Sequence, residues 1–139
     1  ARKAGAPCII GSMAYDVSLD GQQMRTMMGV SPTDAAERMV ELGVDVVALN
    51  CGTGIDVIHA ALVLNDYHQA CDLPTMAQPN AGQPVLENLQ VCYKQTPEEM
   101  ATDLDKLFAA GANVIGGCCG SSPEHIRQFR PLIDAHNRP

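Results

Sequence analysis

Gly43-Val44-Asp45-Val46-Val47-Ala48-Leu49-Asn50-Cys51-Gly52 is short, apolar and rich in β-branched residues, and it ends on a polar, glycine-bounded step. That composition predicts a strand over 44–50 covered on both faces. A helix is written just before it. Ser31 suits an N-cap, Pro32 suits the first helical position, and Asp34 and Glu37 follow early. Ala35, Met39 and Leu42 make one apolar face, and Gly43 fits the position just past the helix end. The same grammar returns later in the chain. Thr96, Pro97, Glu98 and Glu99 open a helix, Leu104, Leu107 and Phe108 face inward, Gly111 closes it, and a strand over 112–116 follows.

Superposing the two closing glycines lays residues 41–47 on residues 109–115, an offset of 68 that carries Cys51 onto Cys119 and Gly52 onto Gly120. A weaker copy opens the chain over residues 3–10. A further strand is expected over 74–78, after a helix near 55–70, and a last helix runs from Ser122-Pro123-Glu124 to about residue 135. Pro7 and Pro74 are expected at the first residues of strands, where a missing N–H is tolerated. Strands alternating with helices predict an α/β fold with a parallel sheet and crossover helices. In such folds functional residues gather past the carboxyl ends of the strands. Ser12 to Tyr15, Asn50-Cys51-Gly52, Pro79-Asn80-Ala81-Gly82 and Gly117-Cys118-Cys119-Gly120 all fall there. Residues 16–30 are expected as a long loop at that same end, with Asp20-Gly21 as a turn.

A length of 139 residues with 46% hydrophobic residues predicts one domain with a real core. Nine basic against sixteen acidic residues give a net charge of −7, which argues against nucleic acid or an anionic membrane as partner. No apolar run approaches the ~20 residues of a membrane span. No hydrophobic stretch of a signal peptide follows Ala1-Arg2-Lys3. A reduced, cytoplasmic setting is therefore expected, and it turns six cysteines toward metal or catalysis rather than disulfides. Cys8, Cys71 and Cys92 read as small buried hydrophobes.

Cys118 and Cys119 would point to opposite faces of an ideal strand. They can share one ion only if the backbone turns there, a freedom that Gly116, Gly117 and Gly120 are expected to supply. Cys51 joins them from an equivalent strand end. Three thiolates suit Zn²⁺ at about 2.3 Å, and three protein ligands with one open position is the catalytic pattern. A free thiol, with a pKa of about 8.5, is largely protonated at neutral pH, and a thiol bound at the open position would lose that proton. The alternative is a redox protein using the Cys118–Cys119 pair. His125 reads as a helix cap or packing residue, His59 and His68 as surface or core residues, Tyr15 as structural, and Met24, Met27 and Met28 as ordinary loop packing.

Leu49-Asn50-Cys51-Gly52, Pro79-Asn80-Ala81-Gly82 and the run Gly116-Gly117-Cys118-Cys119-Gly120-Ser121-Ser122-Pro123-Glu124-His125-Ile126 resemble the homocysteine S-methyltransferase domain. The Pro-Asn-Ala-Gly form is most similar to the homocysteine module of cobalamin-dependent methionine synthases. The motifs stand in family order, and the resemblance covers about residues 7–135. It implies the C-terminal half, strands five to eight, of a (β/α)₈ TIM barrel, with residues 1–139 as that half-domain. It implies zinc held by Cys51, Cys118 and Cys119, with Asn80 and Asn50 as substrate-side residues. Asn80 would be an oxygen ligand until the substrate sulfur arrives. It implies methyl transfer to the thiolate of L-homocysteine, giving methionine, from a donor such as methylcobalamin carried by a separate domain or corrinoid protein. The family's first-strand loop and fourth-strand acidic residue have no counterpart here. Four strands cannot close a barrel, so an N-terminal half-barrel or a second copy is expected to complete it. Without one, the chain would be a zinc-binding half-barrel inactive on its own.

Overall fold

The computed structural model describes residues 1–138. After a 3-10 turn at Arg2–Ala4 come β1 (Ile10–Met13), the short strands β2 (Asp16–Val17) and β3 (Met24–Arg25), helix α1 (Pro32–Glu41), β4 (Val46–Asn50) and α2 (Val57–Ala70). There follow β5 (Thr75–Gln78), β6 (Pro84–Glu87), β7 (Gln90–Tyr93), α3 (Pro97–Thr102), α4 (Leu104–Ala109), β8 (Val114–Ile115) and α5 (Pro123–His136). β1, β4, β5 and β8 form one parallel sheet in that order. The order follows the chain without reversal, as in the wall of a barrel. A doubly wound sheet would reverse at a switch point. The α/β half-barrel expectation holds.

The helix starts form as their sequences dictate. Ser31 Oγ accepts from Asp34 N at 3.1 Å. Thr96 and Glu99 close a reciprocal capping box, at 3.2 and 2.8 Å. Gly43 and Gly111 take the left-handed φ values of 72° and 78° that end a helix cleanly. One expectation needs correction: the helix after Thr96 is two helices, broken at Asp103. Thr102 Oγ1 donates back to Glu98 O at 2.9 Å, the kind of bond that bends a helix.

Helices cover one face of the sheet. Val47 and Leu49 of β4 and Ala77 of β5 are fully buried beside Ala60, Val63, Leu64 and Leu107. Tyr67 crosses this layer and donates to Ala48 O at 2.9 Å, with the Tyr15 hydroxyl 2.9 Å from its own. Burial pushes the Tyr15 hydroxyl up to about 12, so both phenols stay neutral pegs. Arg2 pairs with Asp45 at 2.9 Å, and Asp45 also accepts from Ile9 N at 2.7 Å. The Arg2 hydrogen bond, with that from Ile9 N, holds this carboxyl below the usual carboxylate range. The opposite face is open: Ile10 on one edge strand and Val114 on the other are 51% and 47% exposed.

Other expectations are corrected in detail. Pro7 lies three residues ahead of β1, and Pro74 lies just ahead of β5. Residues 16–30 are not a plain loop but contain the antiparallel pair β2–β3, joined by Ser18 N to Gln23 O at 2.8 Å. The antiparallel hairpin β6–β7 was not expected at all. Cys8 is exposed, and Cys71 and Cys92 are half-buried. Met24 is buried, but Met27 and Met28 stand in solvent. Among the described residues no helix is long and apolar enough to cross a membrane.

Candidate metal centre

β4 ends at Asn50, and the chain then turns sharply through Cys51 at φ 59° and Gly52 at φ 96°. A side chain at Gly52 would put its Cβ 1.7 Å from the Tyr15 carbonyl oxygen. Only glycine lets this turn lie flat on the loop after β1, and the turn swings the Cys51 thiol over the end of the sheet. Cys51 N still donates to Gln78 O at 3.2 Å, so the loop is tied to β5.

Past β8, Cys118 N donates to Pro79 O at 2.8 Å, and Ser121 N donates to Cys118 O at 3.1 Å. The two adjacent cysteines therefore sit in a turn, where strand alternation does not separate them. Of the three glycines expected to allow this, only Gly120 has a left-handed φ, at 79°. Gly117 contributes space instead: a Cβ there would sit 2.3 Å from Ser121 Oγ.

Asn80, fully buried, joins the two thiol loops. Its Nδ2 donates to Gly52 O at 2.8 Å, and its Oδ1 accepts from Cys119 N at 3.2 Å. Ala81 N donates to Cys119 O at 2.9 Å. The result is that the Sγ atoms of Cys51, Cys118 and Cys119 all lie within 4.8 Å of one another, with Cys51 and Cys119 at 3.4 Å. Tetrahedral zinc with bonds of about 2.3 Å needs sulfurs roughly 3.8 Å apart. Three soft, half-buried donors at this spacing fit the ion.

The remaining site residues fall as follows. Asn50, half-buried at the end of β4, accepts from Ser12 Oγ at 2.6 Å. His125 is buried as a cap: its Nδ1 accepts from Ser122 N at 3.0 Å, and its Nε2 lies 3.2 Å from Gln95 O. His59 pairs with Asp56 at 2.7 Å, and His68 lies 3.4 Å from Gly111 O. Among the described residues no histidine joins the thiols. Sequence reasoning missed Tyr93, which the β6–β7 hairpin delivers to the cluster. Its Cβ would lie 2.3 Å from a Cβ at residue 120. Partial burial, a hydrogen bond to Cys119 and the nearby thiols hold its hydroxyl above the ordinary phenol range. No strand-end motif marks it.

The sequence profile of homocysteine S-methyltransferases matches residues 3–133. The chain belongs to the homocysteine S-methyltransferase family. Among relatives of this family member, methionine synthase of Mycobacterium tuberculosis is 38% identical over 116 residues, covering 82% of this chain and 10% of that protein. Methionine synthase of Mycobacterium leprae is 40% identical over 110 residues, covering 78% and 9%. The chain thus spans about a tenth of the length of these relatives. Its backbone is similar to the carboxyl transferase domain of Rhizobium etli pyruvate carboxylase. With pyruvate bound in that structure, the TM-score is 0.51 at 12% identity, over 81% of this chain and 16% of that one. With 3-hydroxypyruvate the values are 0.52 and 13%, over 93% and 24%. At such identities the likeness concerns the fold alone.

Proposed function

We propose that the chain is the thiol-accepting half-barrel of a zinc-dependent S-methyltransferase, in which L-homocysteine takes a methyl group and becomes methionine. The observation that supports this most is the convergence of Cys51, Cys118 and Cys119 within 4.8 Å, from loops up to 68 residues apart. These three residues would hold Zn²⁺ and leave one position open. When bound, the ion supplies positive charge that keeps an incoming thiol deprotonated, while the anionic sulfurs around it keep that thiol nucleophilic toward a methyl carbon.

The chain's own residues act by position. Asn80 fixes the separation of the two thiol loops through Gly52 O and Cys119 N. Asn50, oriented by Ser12, borders the acceptor. Tyr93 covers the Gly120 side of the cluster and limits water there. A methylcorrinoid brought by another domain or protein is the donor in this reading, as the resemblance carried by Pro79-Asn80-Ala81-Gly82 implies. An N-terminal half-barrel or a second copy covers the open face, a role suited to the exposed Ile10 and Val114 edges. A reducing cytoplasm suits a site built on free thiols.

Those open edges favour a second reading, a half-barrel that holds zinc and does no chemistry alone. Calorimetric titration of the reduced chain with L-homocysteine separates the two. Heat that depends on zinc supports the acceptor role. Full zinc occupancy without such heat supports the inactive half-barrel. A reversible Cys118–Cys119 disulfide without stoichiometric metal would overturn both.

A further inference from the structure

The parallel register sets three positions in one row at the carboxyl end of the sheet. Asn50 pairs with Gln78, and Ala77 pairs with Ile115, which puts Gly116 beside Gln78. Leu49 and Ala77 are buried under helices, so strand alternation turns Asn50 and Gln78 to the open face. Lower on that face stand the apolar Ile10, Val46, Ala48, Met76 and Val114, with the polar Ser12 beside Ala48 and bonded to Asn50. The face becomes amide-lined only at the level of the thiols.

Gln78 holds the central place in that row. Its carbonyl accepts from Cys51 N at 3.2 Å, and the next residue, Pro79, accepts from Cys118 N at 2.8 Å. It therefore stands between the two loops that carry the thiols. Gly116 gives its side chain room: a Cβ there would sit 3.3 Å from Gln78 Cγ and 3.4 Å from Nε2. Asn80 has both ends of its amide engaged, and Asn50 receives the Ser12 hydroxyl. The half-buried Gln78 carboxamide makes no side-chain hydrogen bond to another described residue. A carboxamide offers N–H donors and a carbonyl acceptor side by side. An α-amino acid presents the complement, a carboxylate beside an ammonium.

We infer that Gln78 is a specificity residue that reads the amino-acid end of the thiol acceptor. The inference rests on the proposed function, in which the acceptor's sulfur sits at Cys51, Cys118 and Cys119. It is tested by calorimetric titration of the zinc-loaded chain with L-homocysteine and with propanethiol, which lacks the amino-acid group. Zinc content is measured in every sample. The wild-type chain should bind L-homocysteine more tightly. Gln78→Leu should weaken L-homocysteine about tenfold, as expected for two lost hydrogen bonds, and change propanethiol less than about twofold. Gln78→Glu keeps the side-chain size but offers no N–H to the substrate carboxylate, so it should likewise weaken L-homocysteine and leave propanethiol little changed. Equal affinity of the wild-type chain for both thiols would overturn the inference. So would equal weakening of both thiols, or no change, in the zinc-loaded variants. Failure of the wild-type chain to bind either thiol would instead defeat the proposed function, and is visible before any substitution.

Discussion

Asn80 is neutral and buried, yet its amide joins the two thiol loops through Gly52 O and Cys119 N. Asn80→Ala strands the half-buried Gly52 O and Cys119 N, at about 1 kcal/mol for each bond lost. The expected outcome is a lower urea midpoint with an unchanged slope, together with weaker zinc retention. Asp66 is a different case. Burial raises its pKa above the ordinary carboxylate value. Below about pH 4 the group is protonated in both folded and unfolded chains, and it costs nothing. As pH rises, the unfolded chain ionises first, so stability falls until the folded group's own raised pKa is passed, and the deficit then stays constant. Asp66→Asn removes that deficit. It should raise the thermal midpoint by about 1–2 °C near neutral pH, with no gain near pH 3, as read by circular dichroism melts.

The β6–β7 hairpin turns through Asn88 at φ 48° and Leu89 at φ 63°. A two-residue turn with both φ values positive favours Asn-Gly, and a leucine there pays a steric cost. Leu89 is 93% exposed, so its side chain returns no burial. Leu89→Gly should therefore stabilise the chain by about 0.5–1 kcal/mol, measured by urea unfolding. The same residues explain why the hairpin was illegible in the sequence. Its turn lacks the Asn-Gly signal, and Leu86 and Val91 are solvent-exposed apolar residues that spoil the alternation of a half-buried strand. The helix starts were legible because Ser31 with Asp34, and Thr96 with Glu99, are local bonds between residues three apart. The break at Asp103 was not, since it depends on which way the Thr102 hydroxyl turns.

At the scale of the whole molecule, four parallel strands in chain order make one wall, covered by helices on one side and open on the other. The repeat that carries Cys51 onto Cys119 was readable because both follow the same helix–glycine–strand grammar. Asn80 was readable as a site residue through the resemblance, but its tie between Gly52 and Cys119, and the placement of Tyr93 and Gln78, were not, because each depends on what lies across the sheet or against a neighbouring loop. Convergence of the three thiols is the claim on which the functional reading stands. Its most direct test is the zinc content of the reduced chain and of Cys51→Ser, by elemental analysis after exhaustive dialysis. The expected result is about one zinc per wild-type chain and loss of most of it in the variant. Full zinc in Cys51→Ser, or none in the reduced wild-type chain, would contradict it.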